Sequence, residues 1–153
     1  MAPYYEADVL YRIMENRFER VKLSQVFYIE YLRLLDHYRV LEKDQVRSLE
    51  KITKNHRVKV IKERPDASAE EVKEALAIYS ELQAQKPNPY EDRETKVAEY
   101  KMKKAIEQAL DTLKNYHDDD TKREWYLAQI RHSTIESFVQ LRTIEQELEM
   151  LSY

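Results

Sequence analysis

Phe18-Glu19-Arg20-Val21-Lys22-Leu23-Ser24-Gln25-Val26-Phe27-Tyr28-Ile29-Glu30-Tyr31-Leu32-Arg33-Leu34-Leu35-Asp36-His37-Tyr38-Arg39-Val40-Leu41 decides the fold class. Two apolar stripes run through it at helical spacing. One is Val21, Tyr28, Leu32 and Leu35; the other is Phe27, Tyr31, Leu34, Tyr38 and Leu41. Two stripes make a wide apolar arc, so this helix is expected to lie between two neighbours, at the centre of the core. Working outward, Tyr4 to Met14 carries Val9, Leu10, Ile13 and Met14 at helical spacing. Asn16 reads as a turn between the two segments, with one continuous helix as the alternative.

Downstream, Glu42 to Glu63 is thinly apolar, with Val46, Leu49, Ile52, Val58 and Ile61 on one narrow face. After Pro65, Ser68 and Glu71 have the spacing of a capping box, which starts a helix carrying Val72, Leu76 and Tyr79 to about Gln85. Lys86-Pro87-Asn88-Pro89 is the clearest break, because proline excludes interior helix geometry for itself and disfavours it for the residue before. Helical spacing resumes with Ala98, Met102, Ile106, Ala109, Leu113 and Tyr116. Asp118-Asp119-Asp120 then opens a last helix, where negative charge complements the positive end of the dipole. That helix carries Leu127, Ile130, Phe138, Leu141, Ile144, Leu148 and Leu151. Six helices imply an all-α fold in a single domain over residues 1–153, an antiparallel bundle or a stack of helix pairs.

Composition supports this and excludes several function classes. The 153 residues contain no glycine, which argues against a turn-rich β protein and removes every Gly-rich phosphate loop. Charged residues make up 36% and apolar residues 42%, a mixture that suits amphipathic helices with solvated outer faces. The net charge of −3 gives no global attraction to nucleic acid. With no cysteine there is no disulfide, thiolate metal site or cysteine nucleophile. No apolar run reaches membrane-spanning length and the start has no signal-peptide character, so the chain reads as cytoplasmic or nuclear.

The sequence offers no catalytic constellation, cofactor motif or metal motif. His37, His56, His117 and His132 form no His-x3-His pair with an intervening carboxylate. His117 beside the three aspartates reads as a helix start rather than a metal site, since consecutive acids do not converge. The basic run Asn55 to Lys62 lacks aromatic interleaving and reads as a solvated helix face. The twelve tyrosines fall mostly on the apolar stripes and read as core with hydroxyls reaching the surface. After Pro89, Arg93, Lys96, Tyr100 and Lys103 form a stripe roughly a quarter-turn from the apolar centre at Met102, Ile106 and Leu113. Spacing alone leaves two readings: a solvated flank, or a rigidly held set of donors for carboxylates on a partner.

The last sixty or so residues carry a family resemblance. Arg93-Glu94-Thr95-Lys96-Val97-Ala98-Glu99-Tyr100-Lys101-Met102-Lys103-Lys104-Ala105-Ile106-Glu107 resembles the pattern R-x-x-K-I-x-x-Y/F-K-x-x-K-E/x-x-E. Asp119-Asp120-Thr121-Lys122-Arg123-Glu124-Trp125-Tyr126-Leu127 is similar to D-D-x-x-R-E-x-x-L. Ile135 through Ile144-Glu145-Gln146-Glu147-Leu148-Glu149-Met150-Leu151 is similar to I-x-x-I-x-x-I-D/E-Q-E-I/L-x-x-L. Tyr28-Ile29-Glu30-Tyr31-Leu32 through Tyr38 resembles F-I-x-F-L…Y more weakly, and residues 42–88 carry no match. These segments resemble the type 2A phosphatase-associated proteins, the family of yeast Tap forty-two and animal alpha-four, also called immunoglobulin-binding protein one.

The resemblance implies a tetratricopeptide-like helix stack. It implies a non-catalytic protein that binds and stabilises catalytic subunits of 2A-, 4- or 6-type phosphatases, in a chaperone-like role downstream of TOR signalling. By motif match, Arg93 and Lys96 would make the central contact, and Tyr100 and Lys103 share their stripe. Glu147, in the E-Q-E match, is a further candidate, the alternative being plain solvation of the last helix. Family members carry additional N-terminal helices and a long C-terminal tail. Against that pattern this chain reads as either a shortened piece or a compact divergent member, so the tail's ubiquitin-related functions do not transfer. The runner-up is a generic helical scaffold that binds a partner helix or self-associates through an uncovered apolar face.

Overall fold

The computed structural model describes residues 1–84, 89–115 and 118–151, with side chains in the fifth helix described from Arg93 onward. Among these residues there are six helices and no strand: α1 Ala2–Arg12, α2 Arg17–His37, α3 Lys43–Glu63, α4 Ala69–Ala84, α5 Pro89–Leu113 and α6 Asp119–Leu151. The fold is all-α. Two compact units are present, Met1–Tyr28 with Pro89–Tyr153, and Ile29–Asn88.

The ends of the helices follow the local signals. Pro3 sits in the first turn of α1, where a missing N–H costs nothing. Asn16 takes φ 50 in the turn before α2, so the two segments are separate helices. α3 stops at Glu63 because Arg64, preceding Pro65, is held extended at φ −88, ψ 118. Ser68 Oγ accepts the Glu71 N–H at 3.2 Å, as the capping box requires. The Glu71 carboxylate instead lies beside Arg64, 3.3 Å from its Nη2 but out of hydrogen-bond alignment. A second capping box has an unusual residue at its head. Glu42 caps α3 through its own side chain, while Gln45 Oε1 accepts the Glu42 N–H at 3.0 Å. Asp118 Oδ2 accepts the Thr121 N–H at 3.3 Å and starts α6, and the Thr121 hydroxyl, with this N–H behind it, holds the Asp118 carboxyl below its ordinary range. His117 and Tyr116 lie outside the described residues, as do Pro87 and Asn88.

α2 ends in a Schellman turn built without glycine. The Val40 N–H reaches the Leu35 carbonyl at 3.0 Å and the Arg39 N–H reaches the Asp36 carbonyl at 2.9 Å. This places Arg39 at φ 58, in the left-handed region that costs a side-chain-bearing residue roughly 1–2 kcal/mol. Replacing exposed Arg39 with glycine is therefore expected to stabilise the protein by about 0.5–1 kcal/mol after the extra chain entropy of glycine. A rightward shift of the urea midpoint at unchanged slope checks it; an unchanged or lower midpoint contradicts it.

Burial confirms some expected faces and corrects others. The first α2 stripe is closed throughout, with Val21, Tyr28, Leu32 and Leu35 all buried. The second divides. Tyr31 is buried, but Leu34 and Tyr38 are exposed, and Leu41 is off the helix altogether because the turn at Arg39 redirects the chain. Val9 on α1 and Met14 beyond its end point to solvent, and Ala7 is the buried residue of α1. Ala7 is small enough for α2 to approach until the Ser24 hydroxyl donates to its carbonyl at 2.7 Å. α6 is about 50 Å long at 1.5 Å per residue. Its inward face holds Phe138, Leu141, Ile144 and Leu148 as expected, plus Ser133, Thr134 and Ser137. The hydroxyls of these three bond back to carbonyls of Ile130 and Ser133, so their burial leaves no donor orphaned. Leu127 and Leu151, at the two ends, are exposed.

In the second unit α3 and α4 pair antiparallel. α3 turns Leu49, Val58 and Ile61 inward, with Val46 and Ile52 partly covered. α4 buries Ala75, partly covers Ile78 and Leu82 and leaves Val72, Leu76 and Tyr79 exposed, a face roughly a quarter-turn from the one expected of it. The reason lies in the seam of charges. Arg57 forks onto Glu74 at 2.9 and 3.0 Å, Lys54 reaches Glu81 at 3.4 Å, and Lys62 stands 4.8 Å above the Tyr79 ring. The basic run of α3 is thus neither phosphate-directed nor simply solvated. Arg57 and Lys62 of the run, with Lys54 just before it, meet α4.

Candidate protein-interaction surface

α5 and α6, both in the first unit, form an antiparallel pair held by alternating charge. Glu99, Lys103 and Glu107 follow one another at intervals of four on α5, so they share a face. They meet Arg142, Glu136 and His132 in reverse order on α6. Arg142 forks onto Glu99, with one arm at 3.1 Å. Lys103 Nζ reaches Glu136 Oε2 at 2.5 Å, and His132 Nε2 lies 3.2 Å from Glu107 Oε1. Any shift of one helix along the other would set like charges together, so the ladder fixes the register. No described residue of α5 is fully buried, and this helix is attached as much by the ladder as by Ile106, Leu110 and Leu113.

The ladder is centred roughly 80° around α5 from its apolar centre at Met102, Ile106 and Leu113, at 100° per residue. Met102 is exposed, and Lys103 bonds across to Glu136 of α6. Arg93, Lys96 and Tyr100 are exposed on one side of the helix, Tyr100 at 63% with Lys104 Nζ 5.6 Å from its ring centroid. Among the described residues Arg93 makes no ion pair. Between the helices runs a groove edged by Lys96, Tyr100 and Lys103 from α5 and by Arg142, Thr143 and Gln146 from α6, with Ile135 and Val139 beneath.

Against this geometry, comparison with known proteins gives one result. A model of the TAP42-like family matches residues 1–153. The chain belongs to the TAP42-like family. No curated protein and no solved structure is similar enough to match it. At the level of the family, TAP42-like proteins are phosphatase-associated regulators without catalysis.

In this TAP42-like chain Glu147 has a different setting from the Arg93 stripe. Its carboxylate takes a fork from Arg17, Nε to Oε1 at 2.5 Å and Nη2 to Oε2 at 2.9 Å. Arg17 also donates to the Tyr11 and Ile13 carbonyls and stacks 4.6 Å over the Tyr11 ring. One guanidinium thereby ties the end of α1, the start of α2 and the last turns of α6. The Glu147 carboxylate is occupied by this bond, as Lys103 is by Glu136. Sequence reading missed Arg17, Glu99, Glu136 and Arg142. The one available signal was the reversed order of signs on α5 and α6.

The Arg17 hydrogen bonds hold the Glu147 carboxyl below the usual range, against an opposing desolvation. Burial alone would raise Glu136, but its bonds from Lys103 and Gln140 outweigh this and leave it lowered too. A carboxyl with a depressed folded value contributes stability that is present above its unfolded value and lost as pH falls through the folded one. Stability is therefore expected to hold down to about pH 4.5 and to decline below it. Thermal melts in steps from pH 7 to 3 check this, and Glu147→Gln should flatten the decline. An undiminished decline in that variant would remove Glu147 as a contributor.

No helix among the described residues is long and apolar enough to cross a membrane. Among the described residues no three metal-ligating side chains gather into a cluster.

Proposed function

We propose that this chain binds the catalytic subunit of a type 2A-like serine/threonine phosphatase, of the 2A, 4 or 6 type, and stabilises it without chemistry of its own. It would act in the cytoplasm downstream of TOR signalling, as the resemblance implies. The observation that carries this reading is the pair Arg93 and Lys96, exposed on a helix whose orientation the Glu99–Arg142 and Lys103–Glu136 bonds fix. Arginine and lysine held this way meet carboxylates without first losing the freedom of the helix that bears them. Tyr100 adds exposed aromatic area beside them. Lys103 and Glu147 serve the site by holding its scaffold.

Co-purification with purified 2A-, 4- and 6-type catalytic subunits tests the proposal. Retention of at least one is expected, and retention of none overturns it. One observation favours a second reading, a helical scaffold that self-associates. Val72, Leu76 and Tyr79 make an exposed apolar line along α4, with Leu76 60% exposed. A light-scattering mass separates the two: a tight dimer indifferent to phosphatase supports the scaffold.

A further inference from the structure

Charged residues make up 36% of this chain, yet one exposed side of α4 carries none. At 100° per residue, about 120° of arc separates Tyr79 from Lys73, and within it lie Val72, Leu76, Gln83, Ala69 and Ser80, all exposed. The carboxylates of α4 are mostly committed elsewhere. Glu74 and Glu81 lie on the other side of the helix, on Arg57 and Lys54 of α3, and Glu71 stands 3.3 Å from Arg64. Glu70 lies about 60° beyond Lys73, in the first turn, where it complements the helix dipole. A lysine borders the uncharged arc at each edge. Lys62 reaches in from α3, 4.8 Å over the Tyr79 ring, and Lys73 stands at the opposite edge. Among the described residues neither makes an ion pair. Glu63 is about 100° round α3 from Lys62, on the side turned from α4.

We propose that this side of α4 seats an amphipathic helix from a partner protein, its apolar stripe on Val72, Leu76 and Tyr79 and its acidic flanks toward Lys62 and Lys73. The inference lies wholly in the second unit and goes beyond the phosphatase-binding reading, so either can fail alone. Ala69 and Ser80 are small enough to let a second backbone approach beside Leu76, as a helix laid along α4 requires. Apolar area alone would suit a second copy of this chain equally well, and the charges decide against it. Two copies paired antiparallel along this arc bring Lys73 to the edge of Lys73 and Lys62 to the edge of Lys62; paired parallel, they bring Lys62 to Lys73. Cation meets cation in either case, whereas a helix with glutamates on its flanks meets a lysine at each edge. The footprint is also small, about 24 Å long and about 10 Å wide, well short of the roughly 800 Å² per partner of a stable dimer. It fits reversible, micromolar docking.

The probe is a synthetic fluorescein-labelled helical peptide as long as α4, with leucines on one face, glutamates on both flanks and glutamines behind. Its fluorescence anisotropy should report micromolar binding to the full chain, and a counterpart with lysine for every glutamate should bind about tenfold more weakly or worse. Leu76→Asp should weaken the acidic peptide about tenfold or more, and Lys73→Glu about threefold or more. Both positions are exposed, so the circular dichroism spectrum of each variant should be unchanged. No binding of the acidic peptide, or equal binding of both peptides, would overturn the proposal. So would acidic binding that survives Leu76→Asp, since the peptide would then sit elsewhere on the chain. A concentration-dependent dimer in sedimentation that Leu76→Asp returns to monomer would make a second copy the occupant instead. Retention of a phosphatase catalytic subunit is a separate measurement, and Leu76→Asp should leave it at the wild-type level.

Discussion

Reversing both Arg93 and Lys96 to glutamate is expected to weaken retention of a type 2A catalytic subunit by about a hundredfold or more. Truncating a hydrogen-bonded charge in an interface costs about 2–5 kcal/mol, and each 1.4 kcal/mol is tenfold in affinity. Reversal adds repulsion from the partner's carboxylates to that loss. The fold should not suffer, because both residues are exposed and neither belongs to the ladder that attaches α5. An unchanged helical circular dichroism signal together with lost pull-down is the expected pair of results. Retained binding at wild-type affinity would discard the site, whatever the family does. Lys103→Glu is the informative contrast. It sets two carboxylates against each other at the Glu136 position and should lower thermal stability as well as binding, marking it as a scaffold residue.

Removing either side of the Arg17–Glu147 fork is expected to cost about 2–3 kcal/mol of stability. Both side chains are largely covered, at 18% and 22% exposure, so the partner left behind is a poorly solvated charge. Arg17 carries the larger share, because it also satisfies the Tyr11 and Ile13 carbonyls at the end of α1. Arg17→Ala should therefore exceed Glu147→Ala. Replacing the pair together, Arg17→Ala with Glu147→Ala, should cost less than the sum of the two single variants, since no orphan charge remains. Urea denaturation of the four proteins closes the cycle. Additive losses would show that the fork contributes no coupling.

These two predictions separate what the sequence made legible from what it did not. Pro3, Pro65 and Pro89, the Ser68 cap and the Asp118 start act within a few residues, and each helix limit they imply is found. The stripe Val21, Tyr28, Leu32, Leu35 was readable because one apolar face had no competitor. α5 and α4 were not readable in the same way. Their apolar residues are few and their flanks charged, so more than one face could turn inward at similar cost.

By itself, then, the sequence determined the number of helices, the breaks between them and the family motifs on α5 and α6, because capping, proline and periodicity are local properties of the chain; α2 nonetheless ends at His37, short of Leu41. Tertiary structure alone decided which charges were consumed. Lys103 goes to Glu136, Glu147 to Arg17 and Arg57 to Glu74, while Arg93 meets no carboxylate among the described residues. The physical reason is distance: an ion pair forms between residues far apart in sequence, and whether a cation is spent or presented depends on which carboxylate the opposing helix places within reach.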